Sequence, residues 1–377
     1  MPRTTRVLLS AGLLASSALV TGCDGGGTDP LQGGDDYSTL DALGELPESA
    51  AGDAPLVLTG DLARASEIGG LDRPSNPDDS DPVHEWISGL GGGTLQSDVF
   101  VPWPQALFPS TSQPVEAKDT YGWSVLDVDA FAAVSLPPDD FLVVSGDFDD
   151  KTLDGGLAEV DGEEDIVTDL DGADHDTGTL DPTPLNRYGA PTRLAEDDGR
   201  IAASPNTEAV RDWLDDTESL ADDDSYADLA RALDEHDVYS AVFTAAEDGD
   251  PAAAMLGEGA GPEEVEELRA ELDGVLPDDP YDTIGLGWAS DDDGALVVTA
   301  YHFDSDDAAE NSKDALEELY RSGTGQRSQT SFSDYLEVDG VEADGSVVVV
   351  TSRPAEEAPL GYAFEALQSR ELLFLSS

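Results

Sequence analysis

Cysteine is almost missing from this chain: Cys23 is the single thiol in 377 residues. A lone thiol closes no internal disulfide and cannot build a cysteine-zinc centre. Basic charge is scarce as well, with 17 lysines and arginines against 83 aspartates and glutamates, a formal net charge of −66. The only lysines are Lys118, Lys151 and Lys313. That balance argues against nucleic acid and anionic head groups as partners, because binding to phosphates is driven by neutralising basic side chains. It favours hydrated cations or basic proteins. Histidine is limited to His84, His175, His236 and His302. The chain has no G-x-S-x-G, no H-E-x-x-H and no phosphate-binding G-x-x-x-x-G-K-[ST], and no lysine stands three residues after a serine. A Ser-His-Asp triad assembled by folding stays open, since geometry and not sequence order defines one.

What is present starts at the amino end. Arg3 and Arg6 give a short positive start, an apolar run follows from Val7 to Val20, and Val20-Thr21-Gly22-Cys23 ends it. The run is shorter than the about 20 residues a spanning helix needs. A basic start, a short apolar segment and small residues at the exit mark a cleaved signal peptide, residues 1–22. The two arginines are not adjacent, so export of an unfolded chain is expected. The tetrad Val20-Thr21-Gly22-Cys23 resembles the lipobox of bacterial-type secreted lipoproteins. That resemblance implies a diacylglycerol on the Cys23 sulfur, cleavage between Gly22 and Cys23, and a lipid anchor holding the body at the outer face of the cell membrane. Two acyl chains anchor stably where one is marginal.

Removing Arg3 and Arg6 with the signal leaves 15 basic residues against the same 83 acidic ones, a formal charge of −68. Such charge normally means disorder. Long β-branched runs and clear helical periodicity argue otherwise, and salt reconciles the two. At roughly 1 M ionic strength the Debye length is about 3 Å, so surface carboxylates hardly sense one another. A halophilic source is expected.

Residues 23–53 are rich in Gly and Asp without apolar periodicity, which predicts a flexible acidic tether and folding from near Ala54. Beyond it, strands in hairpins alternate with helices, which predicts an α+β fold of antiparallel sheets with surface helices over one face. Segments 54–250 and 251–377 read as two domains or two tandem similar halves. In the first, strands Phe131–Leu136 and Phe141–Val144 precede a hairpin at Asp198-Gly199, a helix Thr207–Asp215 and a closing strand Val238–Phe243. In the second, Thr283–Trp288 and Ala295–Val298 precede a hairpin at Asp344-Gly345, a helix Pro359–Leu367 and a closing strand Leu372–Leu375. Asp-Gly between strands is a strong hairpin signal. Further helices are predicted at Ser225–His236, where Tyr226, Leu229, Ala230 and Leu233 follow i, i+3, i+4, i+7, and at Pro262–Gly274 and Ser305–Tyr320. Each carries one apolar stripe and one acidic face, as a surface helix does.

Three places are candidate sites. Strand alternation puts Asp147 beside Asp149 and His302 beside Asp304 on one face of their strands, oxygens and an imidazole suited to Ca2+. The stretch Asp169–Asp176 is acidic but lacks the EF-hand order of acids before its glycine, and reads as a surface loop. Trp103 and Phe108, in a run continued by Tyr121 and Trp123, would dock a protein or a sugar ring if exposed, and pack against the sheet if buried. Two functions follow. One is a non-enzymatic extracytoplasmic lipoprotein that binds an unknown protein or small ligand. The other is a lipid-anchored hydrolase whose carboxylates and histidine are gathered by folding.

Overall fold

The structure, a computed structural model, describes residues 28–52, 56–91, 97–149, 151–153, 156–163, 165–176, 182–246, 252, 256, 261–272, 275–325 and 329–376. The fold is α+β, built on one antiparallel sheet. Its strands are β1 (Leu56–Asp61), β2 (Val128–Ser135), β3 (Phe141–Gly146), β4 (Ala158–Glu159), β5 (Val167–Thr168), β6 (Arg193–Asp197), β7 (Arg200–Ser204), β8 (Ser240–Ala245), β9 (Tyr281–Asp291), β10 (Gly294–Phe303), β11 (Leu336–Asp344) and β12 (Val347–Pro354). Across the sheet they run β11-β12-β10-β9-β8-β1-β2-β3-β7-β6-β5-β4.

The two Asp-Gly hairpins form where predicted. Asp198 (φ 45°) and Gly199 (φ 78°) both turn left-handed between β6 and β7, as a two-residue hairpin loop requires. The centre of the sheet was less legible. β1 lies between β2 and β8, pairing Leu58 with Ala133 on one side and with Val242 on the other. Gly60 sits opposite Phe131, and a Cβ there would meet the Phe131 ring at 2.7 Å, so the aromatic packs against bare backbone.

Over the first four strands outward from the β1–β8 seam the order is alike on both sides, β2-β3-β7-β6 and β9-β10-β12-β11, but the β1 side continues to β5-β4 with no counterpart on the other. β8, expected to close the first half, therefore leads the second side. Leu372–Leu375 is not a strand: Leu372–Phe374 is a buried 3-10 turn whose Leu373 carbonyl accepts from the Tyr301 hydroxyl at 2.9 Å. A short apolar run fits a buried turn as well as a strand.

Helices cover both faces of the sheet, not the single face expected. One core gathers Phe131, Leu142, Val242 and Leu286 from the sheet. Against them lie α3 (Leu62–Ile68), α4 (Ser80–Leu90), α6 (Pro114–Tyr121), α10 (Asp306–Ser322) and α11 (Tyr362–Gln368); α5 (Phe108–Ser112) adjoins α6. The opposite face buries Ala132, Val143, Phe243 and Val298 under α1 (Thr39–Gly44), α2 (Glu48–Ala51), α7 (Thr207–Leu214) and α8 (Asp224–Asp234). Both alternating sets of the central strands are apolar, because neither faces water.

The expected flexible stretch 23–53 is corrected over its described part. Leu31, Ala42, Leu43 and Leu46 are at most 1% exposed. Carboxylates hold this segment down. Asp61 accepts from Gly34 N at 2.8 Å, Asp234 from Thr39 N at 2.7 Å and Leu40 N at 3.2 Å at the start of α1, and Glu45 from Leu31 N at 2.8 Å. Glu45 is itself buried, accepting from Arg200 Nη1 and from Trp213 Nε1, each at 2.7 Å. A Gly- and Asp-rich composition hid a few apolar anchors whose partners are remote in sequence.

Candidate functional site

The second face of the sheet has one uncovered part. α8 crosses β9 and β10 and reaches the near part of β12, whereas β11 and the rest of β12, which have α10 against their other face, stay open on this one among the described residues. The result is a groove of about 590 Å³ between α8 and β11. Register fixes its floor. Val347, Val349 and Thr351 stand opposite His302, Ala300 and Val298 of β10, and so share their face. Val349 and Thr351 stay partly exposed. Asp228 of α8 and Glu235, which caps its end, form one wall, and Glu342 and Asp344 of β11, opposite Val349 and Val347, form the other.

α8 is a local product of its sequence. Tyr226, Leu229, Ala230 and Leu233 are buried as the period demands, and Asp223, two residues before the Ser225 at which the helix was expected to start, caps it by accepting from Ser225 N at 2.9 Å. Its outward residues are thereby aimed into the groove. Arg231, the one arginine on this wall, bonds Asp228 Oδ1 at 2.7 Å. The Ser346 hydroxyl donates to the other Asp228 oxygen at 3.4 Å.

His302 stands beside the head of the groove, paired across the sheet with the lining residue Val347. Its Nδ1 lies 2.8 Å from Asp282 Oδ1, across the β9–β10 pair. That hydrogen bond holds the imidazole pKa above its ordinary 6.5, against the opposing effect of burial; Asp228 and Asp223 push it further up. Among the described residues no serine hydroxyl is bonded to this ring, so the pair is an oriented imidazole with a carboxylate and not a triad.

The other expected site residues scatter. Asp147 and Asp149 follow β3, while His302 and Asp304 lie at the end of β10. Four strands, β2, β1, β8 and β9, stand between, which puts the two pairs roughly 24 Å apart at the usual strand spacing. They also lie at opposite ends of the strands. Gly146 pairs with Val128, at the Asp61 end of β1, whereas His302 pairs with Thr283, at the Leu56 end. Among the described residues no three or more histidines, aspartates or glutamates gather to hold a metal ion. Cys23 and Gly22 lie outside the described residues.

The acidic loop 169–176 binds protein instead. Asp169 accepts from the Tyr121 hydroxyl and from Thr192 N, both at 2.7 Å, and Asp174 accepts from the buried Arg193 at 2.9 Å. Of the aromatic run, Trp103 is half-buried, edge-on to Trp86 with ring centres 6.5 Å apart, and Tyr121 and Trp123 are fully buried. Phe108 alone of these stands out, 57% exposed. The groove itself escaped the sequence, because its walls come from segments more than 100 residues apart.

Comparison with known proteins adds little. No family model matches the chain, and no curated protein matches it. A solved structure described as crystal form I of TP0453 aligns over 88% of this chain and 98% of that one, at 10% identity and a TM-score of 0.35. A likeness that faint fixes neither fold nor function. No helix among the described residues is long and apolar enough to cross a membrane.

Proposed function

We propose that this chain is an extracytoplasmic lipoprotein of a halophile, anchored through lipid on Cys23, whose acidic body is a binding module with no catalytic role. The reading rests first on Arg3, Arg6, the Val7–Val20 run and the lipobox-like Val20-Thr21-Gly22-Cys23. The observation that carries the binding role is the partly exposed, partly apolar floor of Val349 and Thr351, beside sheet positions on the same face that are fully buried. The hydrolase reading has in its favour two imidazole–carboxylate pairs, His302–Asp282 and His175–Asp139, and among the described residues no serine hydroxyl is bonded to either ring.

The packed amino-terminal segment changes how the anchor would work. The described chain begins at Thr28, and the five residues from Cys23 reach at most roughly 18 Å however they run. The body would sit close against the bilayer instead of floating on a long tether. An acidic body that near to anionic head groups is tolerable in molar salt, where repulsion decays within about 3 Å. Gly34 is tied to Asp61 and Glu45 to Arg200, both at the Asp61 end of the strands. His302 and the head of the groove would then point away from the membrane, toward whatever approaches the cell.

Intact-mass measurement of membrane-extracted protein, beside a Cys23→Ser version, tests the anchor. The expected native species begins at Cys23 and carries diacylglycerol, and the serine version carries no lipid. Native material that still begins at Met1, or bears no fatty-acid mass, overturns the assignment.

A further inference from the structure

We infer that the groove between α8 and β11–β12 receives a basic amphipathic segment of another protein, one that lays branched apolar side chains on Val349 and Thr351 and sets lysines or arginines against the walls. This deepens the binding-module reading and rests on it, but needs no lipid anchor to be true.

Acid alone selects no place on this surface, since carboxylates cover it. Two features single out the groove. One is the floor. Val349 and Thr351 remain partly exposed where neighbouring sheet positions on the same face, such as Ala300 and Val298, are fully buried. Covering them recovers apolar burial at roughly 25 cal/mol per Å². The other is the surplus of negative charge at contact range. Glu235, Glu342 and Asp344 line the groove, and no ion pair among the described residues engages them. Arg231 is already satisfied by Asp228, and His302 by Asp282. His236 also lines the groove; protonated, it would offset one wall charge, which still leaves the walls acidic. Molar salt removes long-range steering but leaves ion pairs in direct contact, so a partner must supply both the apolar side chains and the adjoining cations. A volume of about 590 Å³ admits a few large side chains, as a short segment presents, and not a whole domain.

The test uses the full chain in about 1 M KCl and a fluorescein-labelled helical peptide of leucine and lysine, with a leucine and glutamate peptide of the same spacing as control. Fluorescence anisotropy should show saturable binding of the lysine peptide tighter than about 100 µM and none of the glutamate peptide. A Val349→Asp variant should weaken binding by about tenfold or more, and a Glu342→Gln, Asp344→Asn pair by about fivefold. A charge-matched pair on α9 (Pro262–Leu272), Glu263→Gln with Glu264→Gln, should stay within about twofold. The wall pair is exposed, so it reports even where the floor variant misfolds. No saturable binding, equal binding of both peptides, or equal weakening by both charge pairs overturns the proposal. The last outcome would show attraction by net charge alone. None of these results depends on whether Cys23 carries lipid.

Discussion

Asp61 shows how the acidic residues of this chain divide into two kinds. Most stand in water, but Asp61 is fully buried, and burial pushes its pKa up to about 6 even though Gly34 N and Arg64 N donate to it. Asp140 is raised to about 6 by the same cause, and His302 is raised by its bond to Asp282. In all three the folded form binds protons more tightly than the unfolded chain. Stability from these groups is therefore complete below the unfolded values and is lost as pH rises through the folded ones. For Asp61 the two-unit rise is worth on the order of 2–3 kcal/mol. Groups shifted the other way, such as Asp291, held down to about 2 by Arg353, act only below about pH 4 and do not oppose this trend. In molar salt the melting temperature should be higher near pH 5 than near pH 7.5 by roughly 5 °C. An Asp61→Asn variant should flatten that slope. Scanning calorimetry at the two pH values decides it, and a wild-type protein more stable at the higher pH would contradict the assignment.

Among the elements, the ones that depend on local rules were readable. The apolar spacing of α8 was visible directly, and so was the inward stripe of α10. The Glu317–Arg321 bond at 2.9 Å and the two Asp-Gly turns were likewise legible. These are contacts within four residues of one another. The stretch 28–52 was not readable, because its stability comes from Asp61, Asp234 and Arg200, which lie far along the chain. Leu43 is a sharp test of which description holds. On a tether, Leu43→Ala would change nothing. In α1, at 0% exposure within the second core, it should cost about 2–4 kcal/mol by chemical denaturation in molar salt. A loss under about 0.5 kcal/mol would return this segment to the tether. The candidate groove was hidden for the same reason. Val349 and Asp228 are each unremarkable in their own element and acquire a role only by facing one another.

At the scale of the whole molecule, charge and sheet topology act together. The sheet has two free edges, and both are guarded. β4 is two residues long, and β11 carries Glu337, Asp339, Glu342 and Asp344, so another strand gains little by pairing there. Dilute buffer should expose the cost of this surface. As the Debye length grows from about 3 Å toward 30 Å, unscreened repulsion should loosen the fold, with ellipticity falling across a descending salt series. A spectrum unchanged at low salt would show that the charge is balanced by the fold itself. Composition and local pattern determined the acidic character, the α+β class and the lipobox-like Val20–Cys23, because each depends on residue type or on neighbours a few positions apart. The tertiary structure alone decided that β1 and β8 meet at the centre, that residues 28–52 belong to the body, that the two acidic strand ends lie far apart, and that a groove stays open beside α8. Those outcomes depend on pairings between segments tens to hundreds of residues apart, which no window of sequence contains.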